Sequence, residues 1–154
     1  MNLKKLLEEK VERTGTSYLG AGRYVAQIES VETGDSPKSG DPRCVVTVKI
    51  LESEGTDEFK PGSVGAVMIS LKAGANNKMN RDRYRTFLAA AAGIDTKDLD
   101  AVNAFLGTIK DIEKFSDGLV GKKVAINVKQ AFGKGGPIFT KTGKPFTNAD
   151  FFAV

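Results

Sequence analysis

The chain has 154 residues, 40% hydrophobic and 27% charged, with a formal charge of +4. That is enough for one domain with its own core, and the composition is ordinary for a globular protein. With no histidine and one cysteine, the usual zinc sites, Ser-His and Cys-His nucleophile pairs and any internal disulfide are excluded. The acids follow no calcium-loop spacing. No apolar run approaches the roughly 18 residues of a membrane span. No enzyme, cofactor or membrane association is expected.

In chain order, residues 2–13 predict a short helix with Leu3, Leu6, Leu7 and Val11 on one face, ended by Thr14-Gly15-Thr16. Its charges alternate with leucine, so it lacks the continuous apolar stretch of a signal peptide. So short a helix is marginal alone. It is expected to dock on its own domain or on a partner, which allows a homo-oligomer. Residues 1–14 therefore read as an arm before one domain, 15–154.

Residues 22–32 predict a strand in which Tyr24, Ala26 and Ile28 alternate with Arg23, Gln27 and Glu29. The turn-rich residues 33–42 predict a loop. A second strand, 43–53, has Cys44, Val46, Val48 and Ile50 facing in, and Thr47 and Lys49 facing out. Cys44 reads as a small buried residue in a reducing, cytoplasmic compartment (the host cytoplasm, if the protein is viral). An acidic loop leads to a third strand, 63–72, with Gly65 as a bulge or bend.

A helix follows, capped by Asn80 and terminated by Gly93, with Tyr84, Phe87, Leu88 and Ala91 as an apolar stripe. A second helical stretch, 96–106, groups Leu99, Val102 and Phe105 or Leu106. A fourth strand covers 124–128. A glycine turn at 133–137 leads into a fifth strand region, 138–154, interrupted at 142–145. Three strands, a helical insert and two strands predict a mainly β fold: a five-stranded OB-fold barrel (β-β-β-α-β-β) with a short N-terminal helix. A generic α+β domain or another small barrel fits the same coarse order.

Charge changes sign along the chain. Residues 61–93 carry five bases and one acid, and residues 122–154 carry six and one. Between them, residues 94–121 carry three bases and six acids. If folding joins the basic blocks, the surface has a basic stripe and an acidic back, which attracts an anionic polymer without a high net charge. Scattered solvated charge is the blander reading. Residues 122–154 also interleave five phenylalanines with the lysines. Cations attract phosphates and rings stack on bases, which is what a single-stranded nucleic-acid site requires.

An OB-fold binds ligand across strands two and three, flanked by the loops after strands one and four. The candidates are therefore Thr47 and Lys49 on strand two, Lys72 and Lys78 after strand three, and Arg81, Arg83 and Arg85 on the helix. The last hairpin adds Lys129, Phe132, Lys134, Phe139, Lys141, Lys144 and Phe146. Each stacked base contributes about 1–3 kcal/mol regardless of sequence. The three arginines read equally as a solvated helix face. Phe146, Phe151 and Phe152 read first as core closure, Tyr84 as core and Tyr18 as packing, ahead of an exposed ring on a mobile arm. Gly20-Ala21-Gly22 precedes a strand and lacks the third glycine of a dinucleotide fingerprint, and Gly143-Lys144 is followed by Pro145, so neither is a phosphate loop.

Four segments carry a family likeness: Gly22-Arg23-Tyr24-Val25-Ala26-Gln27-Ile28, Val45-Val46-Thr47-Val48-Lys49-Ile50-Leu51, Leu119-Val120-Gly121-Lys122-Lys123-Val124 and Lys144-Pro145-Phe146-Thr147-Asn148. With the element order, residues 20–154 resemble bacteriophage-type OB-fold single-stranded DNA-binding proteins. The resemblance implies a groove for a DNA strand and a role in protecting replication or recombination intermediates, with replication or recombination proteins as partners. RNA would satisfy the same surface chemistry. A virion component or adaptor, without nucleic acid, is the competing expectation. Many members of the family end in an acidic recruiting tail. This chain ends Asn148-Ala149-Asp150-Phe151-Phe152-Ala153-Val154, which reads as a strand end.

Overall fold

The computed structural model describes residues 17–37, 39–56, 58–73, 78–133, 135–137, 139 and 147–154. The predicted helix at 2–13 lies outside them. The fold is mainly β. Strands β1 (Gly22–Asp35), β2 (Pro42–Glu54), β3 (Val64–Ser70), β4 (Lys123–Gln130) and β7 (Thr147–Phe152) form one antiparallel sheet in the order β3-β2-β1-β4-β7. A small ribbon, β5 (Phe132–Gly133) with β6 (Gly136–Pro137), extends the β4–β7 hairpin. Among the described residues no pairing joins β3 to β7, so the described sheet is open.

Alternation decides which face is buried. Tyr24, Ala26 and Ile28 on β1, Cys44, Val46, Val48 and Ile50 on β2, and Val124, Ile126 and Val128 on β4 all point inward and are buried. A one-residue slip would reverse every one of them, so this apolar set fixes the register. β1 absorbs two shifts against β2, between Val25 and Ala26 and between Ile28 and Ser30. Such bulges bend and twist a strand, here within the long β1–β2 hairpin. The expected irregularity at Gly65 is absent: β2 and β3 pair in unbroken register through Val48 and Gly65.

Gly65 serves close packing instead. The extended residues 17–19 lie along the free edge of β3, where Leu19 N–H donates to Ala66 O (2.9 Å) and Ala66 N–H donates to Ser17 O (3.0 Å). Leu19 is buried and sits where a Cβ on Gly65 would be, with the Phe59 ring 3.2 Å from that position. Gly65→Ala therefore overpacks the site. The expected loss is about 1–3 kcal/mol in urea unfolding, and Leu19→Ala made in the Gly65→Ala background should recover part of it.

Among the described residues three helices follow β3: α1 (Lys78–Ala91), α2 (Leu99–Leu106) and α3 (Ile112–Asp117). The apolar stripe of α1 packs against β7, β3 and β4, with Phe87 and Leu88 fully inside and Tyr84 half-buried. Phe87 meets Phe151 of β7 edge to face, 5.0 Å between centroids. Gly93 ends the helix at φ +85. Gly93 N–H donates to Ala90 O and Ile94 N–H to Ala89 O, the paired bonds of a Schellman cap that glycine accommodates best.

Three details of the helices differ from the sequence expectation. Asn80 lies inside the first turn of α1, where its Oδ1 accepts from Arg83, so it does not cap the helix. α2 starts at Leu99 behind an Asp98 cap, and Leu99 is 69% exposed while Val102 carries the burial. α3 is an additional helix, capped by the Asp111 side chain accepting from Lys114 N–H. Its Phe115 is partly buried against the core and meets Phe105 at 5.6 Å, and its one buried residue is the polar Ser116, so its sequence shows no apolar period.

Candidate functional site

Residues paired across an antiparallel ladder share a face. The inward residues fill the core, so their neighbours form an outer face. On β2 these are Arg43, Val45, Thr47 and Lys49, opposite Ser70, Met68, Ala66 and Val64 of β3. Thr47 is half-buried and Lys49 is exposed, both pointing out as expected. Met68 and Val64 are 45% and 48% exposed, although the sequence expectation left them unassigned. Arg43 lies over Met68, with Nη1 3.7 Å from its sulfur. The face is thus a cationic strand beside an apolar one. Its charge is not uniform, because Glu32 lies opposite Val45 and Glu54 opposite Arg23.

The other candidates separate into groups. Lys72 follows β3, 3.9 Å from Asp41 in an exposed pair, and Arg81 Nη1 donates to the Lys72 carbonyl (3.2 Å). These two cations therefore gather at the end of β3 nearest the β1–β2 hairpin tip. Arg85 is exposed beside Asp82 (3.2 Å), and Lys78 is exposed at the start of α1. Surface pairs like these contribute little to stability, so their cations exchange partners readily.

Arg83 points elsewhere. Its side chain is 19% exposed, and its Nη1 donates to Asn80 Oδ1 (2.9 Å) and Asn148 Oδ1 (3.3 Å). Its Nε lies 3.7 Å from Asp150 Oδ1. Arg83 therefore ties α1 to β7. Lys129, exposed on β4 opposite Asn148, lies one residue from that clamp. Both basic segments thus meet along the α1–β7 boundary.

In the hairpin extension, Phe132 is paired with Pro137 through the ribbon, and Phe139 is 56% exposed. Lys134, Lys141, Lys144 and Phe146 lie outside the described residues. Phe151 is core, as expected, whereas Phe152 is 37% exposed on the outer side of β7. Tyr18, read as packing from the sequence, is 52% exposed. Its facing depends on a long-range bridge to Ala66, which leaves no local signature.

The acidic segment lines a pocket that shares Glu32 with the edge of the outer face. An open pocket of about 510 Å³ between β1 and α3 is lined by Glu32, Glu113 and Asp117 with Tyr84 and Ser116. Its carboxylates repel a polyanion, and burial pushes the Tyr84 phenol above its ordinary value. Among the described residues, no helix is long and apolar enough to cross a membrane.

No protein-family model matches the chain, and no curated protein matches it.

Proposed function

We propose that the protein binds single-stranded nucleic acid, DNA in the first instance, through the outer face of β2 and β3, without catalysing a reaction. The observation that carries this reading is that Lys49, Thr47 and Arg43 share one face with the exposed, apolar Val64 and Met68, Lys49 directly opposite Val64. Phosphates need the cations and bases need the apolar surface. The reading takes the fold as an OB barrel. In its support, β1 is central, the helices follow the third strand, and α1 touches both edge strands, β3 and β7. A partly open five-stranded barrel binding across its second and third strands has this form. Lys72 and Arg81 extend the site at one end of β3, and Arg83 holds α1 to β7; Lys129 on β4 and the exposed Phe139 are further candidates. The biological role, protecting replication or recombination intermediates, rests on the likeness to bacteriophage-type single-stranded DNA-binding proteins.

The test is an anisotropy titration of a labelled single strand at about 50 and 200 mM salt. If three to five phosphates are neutralised, affinity falls roughly 20- to 130-fold between those concentrations, at a slope near −0.7 per phosphate. A duplex of the same sequence should bind more weakly, because its bases are already stacked. No single-strand binding at the lower salt would sink the reading. A salt-insensitive assembly without nucleic-acid affinity would favour the virion or adaptor alternative. Competition between matched DNA and RNA strands decides between the two polymers.

A further inference from the structure

An exposed aromatic ring is anchored on the same outer face, outside the basic hairpin. Residues 17–19 pair in parallel with β3 through Ala66, which bonds Ser17 on one side and Leu19 on the other. Successive side chains of an extended segment point to opposite faces. Leu19 is buried against the Gly65 backbone and Phe59, so Tyr18 must point outward. Its register partner Ala66 lies between Val64 and Met68, opposite Thr47. The ring therefore stands at the edge of an apolar shelf, with the two strand-two cations across it: Lys49 opposite Val64 and Arg43 against Met68.

Val64 and Met68 each leave about half of their surface in water (48% and 45% exposed), which forgoes about 25 cal/mol per Å². The backbone on either side of Tyr18 is held by the Ser17 and Leu19 bonds to Ala66, so less backbone entropy remains to be lost when a flat group settles on the ring. Apolar shelf, exposed ring and flanking cations match a nucleotide's base and phosphate. A purely apolar protein segment would leave the cations unmatched. We propose that Tyr18 is a base-stacking residue of this protein, with Val64 and Met68 as the shelf under the base and Lys49 and Arg43 meeting the adjoining phosphates. This inference rests on the single-strand-binding reading above and adds the residue that holds the base.

The chain has no tryptophan and three tyrosines. Of these, Tyr24 is 3% exposed and Tyr84 is half-buried, so Tyr18 supplies the accessible emission. The experiment compares the full-length wild type, Tyr18→Phe and Tyr18→Ala, titrated with a labelled thymidine oligonucleotide longer than about 16 nucleotides. Thermal melts establish that each variant is folded. Tyr18→Ala is expected to weaken binding roughly 5- to 150-fold, the range for one lost stack, with an unchanged salt slope because no phosphate contact is removed. Tyr18→Phe should keep the affinity. Wild-type tyrosine emission should fall on binding, and Tyr18→Phe should abolish that fall. Wild-type binding with Tyr18→Ala equally tight, or with no change in emission, overturns the stacking role and leaves the proposed function standing. If the wild type binds no single strand, the functional reading fails and the stacking role with it. A change in oligomeric state on Tyr18→Ala, without nucleic-acid binding, would assign the shelf to a protein contact instead.

Discussion

Phe87→Ala is expected to cost about 3–5 kcal/mol of folding stability, a large share of the roughly 5–15 kcal/mol available to a domain. Phe87 is fully buried at the centre of α1, and its ring meets Phe151 at 5.0 Å with 64° between the planes. Truncating either ring opens a cavity where the helix joins edge strand β7, and Leu88 and Ala90 beside it are already packed. The two residues should be coupled by about 0.5–1.5 kcal/mol in a double-mutant cycle. Met79→Ala, on the same helix but 67% exposed, should fall within about 0.5 kcal/mol of wild type. Urea unfolding measures the wild type, Phe87→Ala, Phe151→Ala, the double variant and Met79→Ala. A loss from Phe87→Ala no larger than that control would mean that α1 does not seal the core against β7.

The second large effect is a loss of stability in alkali. Cys44 is fully buried in β2, and desolvation raises its thiol from the ordinary 9.0 to about 12. Above pH 9 the unfolded chain releases this proton while the folded chain keeps it. The folded state then binds more protons, so stability falls as pH rises between the two values, at up to about 1.4 kcal/mol per pH unit. Below pH 9 the thiol adds no pH dependence. Burial also raises Tyr24 and Tyr84, which act with the same sign, so the thiol is isolated by comparison with Cys44→Val. The difference in unfolding free energy between wild type and Cys44→Val should be constant to pH 9 and then move steadily against the wild type. A constant difference through pH 11 would show that the thiolate is tolerated inside.

The parts of this fold legible in the sequence are those set by local period. Cys44, Val46, Val48 and Ile50 face in because every second residue of an extended chain does, and that placed Thr47 and Lys49 outside. Gly93 was legible because a left-handed helix end favours glycine. The third strand was not readable in this way. Val64, Val67, Met68 and Ile69 are all apolar, so only pairing with β2 separates the outward Val64 and Met68 from the buried Val67 and Ile69. Charge type was equally uninformative on α1. Arg81, Arg83 and Arg85 look alike, yet helical rotation turns Arg83 towards Asn148 and Asp150 of β7. Tyr18 owes its exposure to Ala66, and a bridge to β3 has no signature beside Tyr18 itself.

The most direct measurement is a map of amide chemical-shift changes when a thymidine oligonucleotide is added to the labelled protein. The expected result is a contiguous set of shifts at Thr47, Lys49, Val64, Met68 and Tyr18, with Glu113 and Ser116 beside the acidic pocket unmoved. Shifts centred on that pocket, or none at saturating oligonucleotide, would contradict a strand-binding face on β2 and β3.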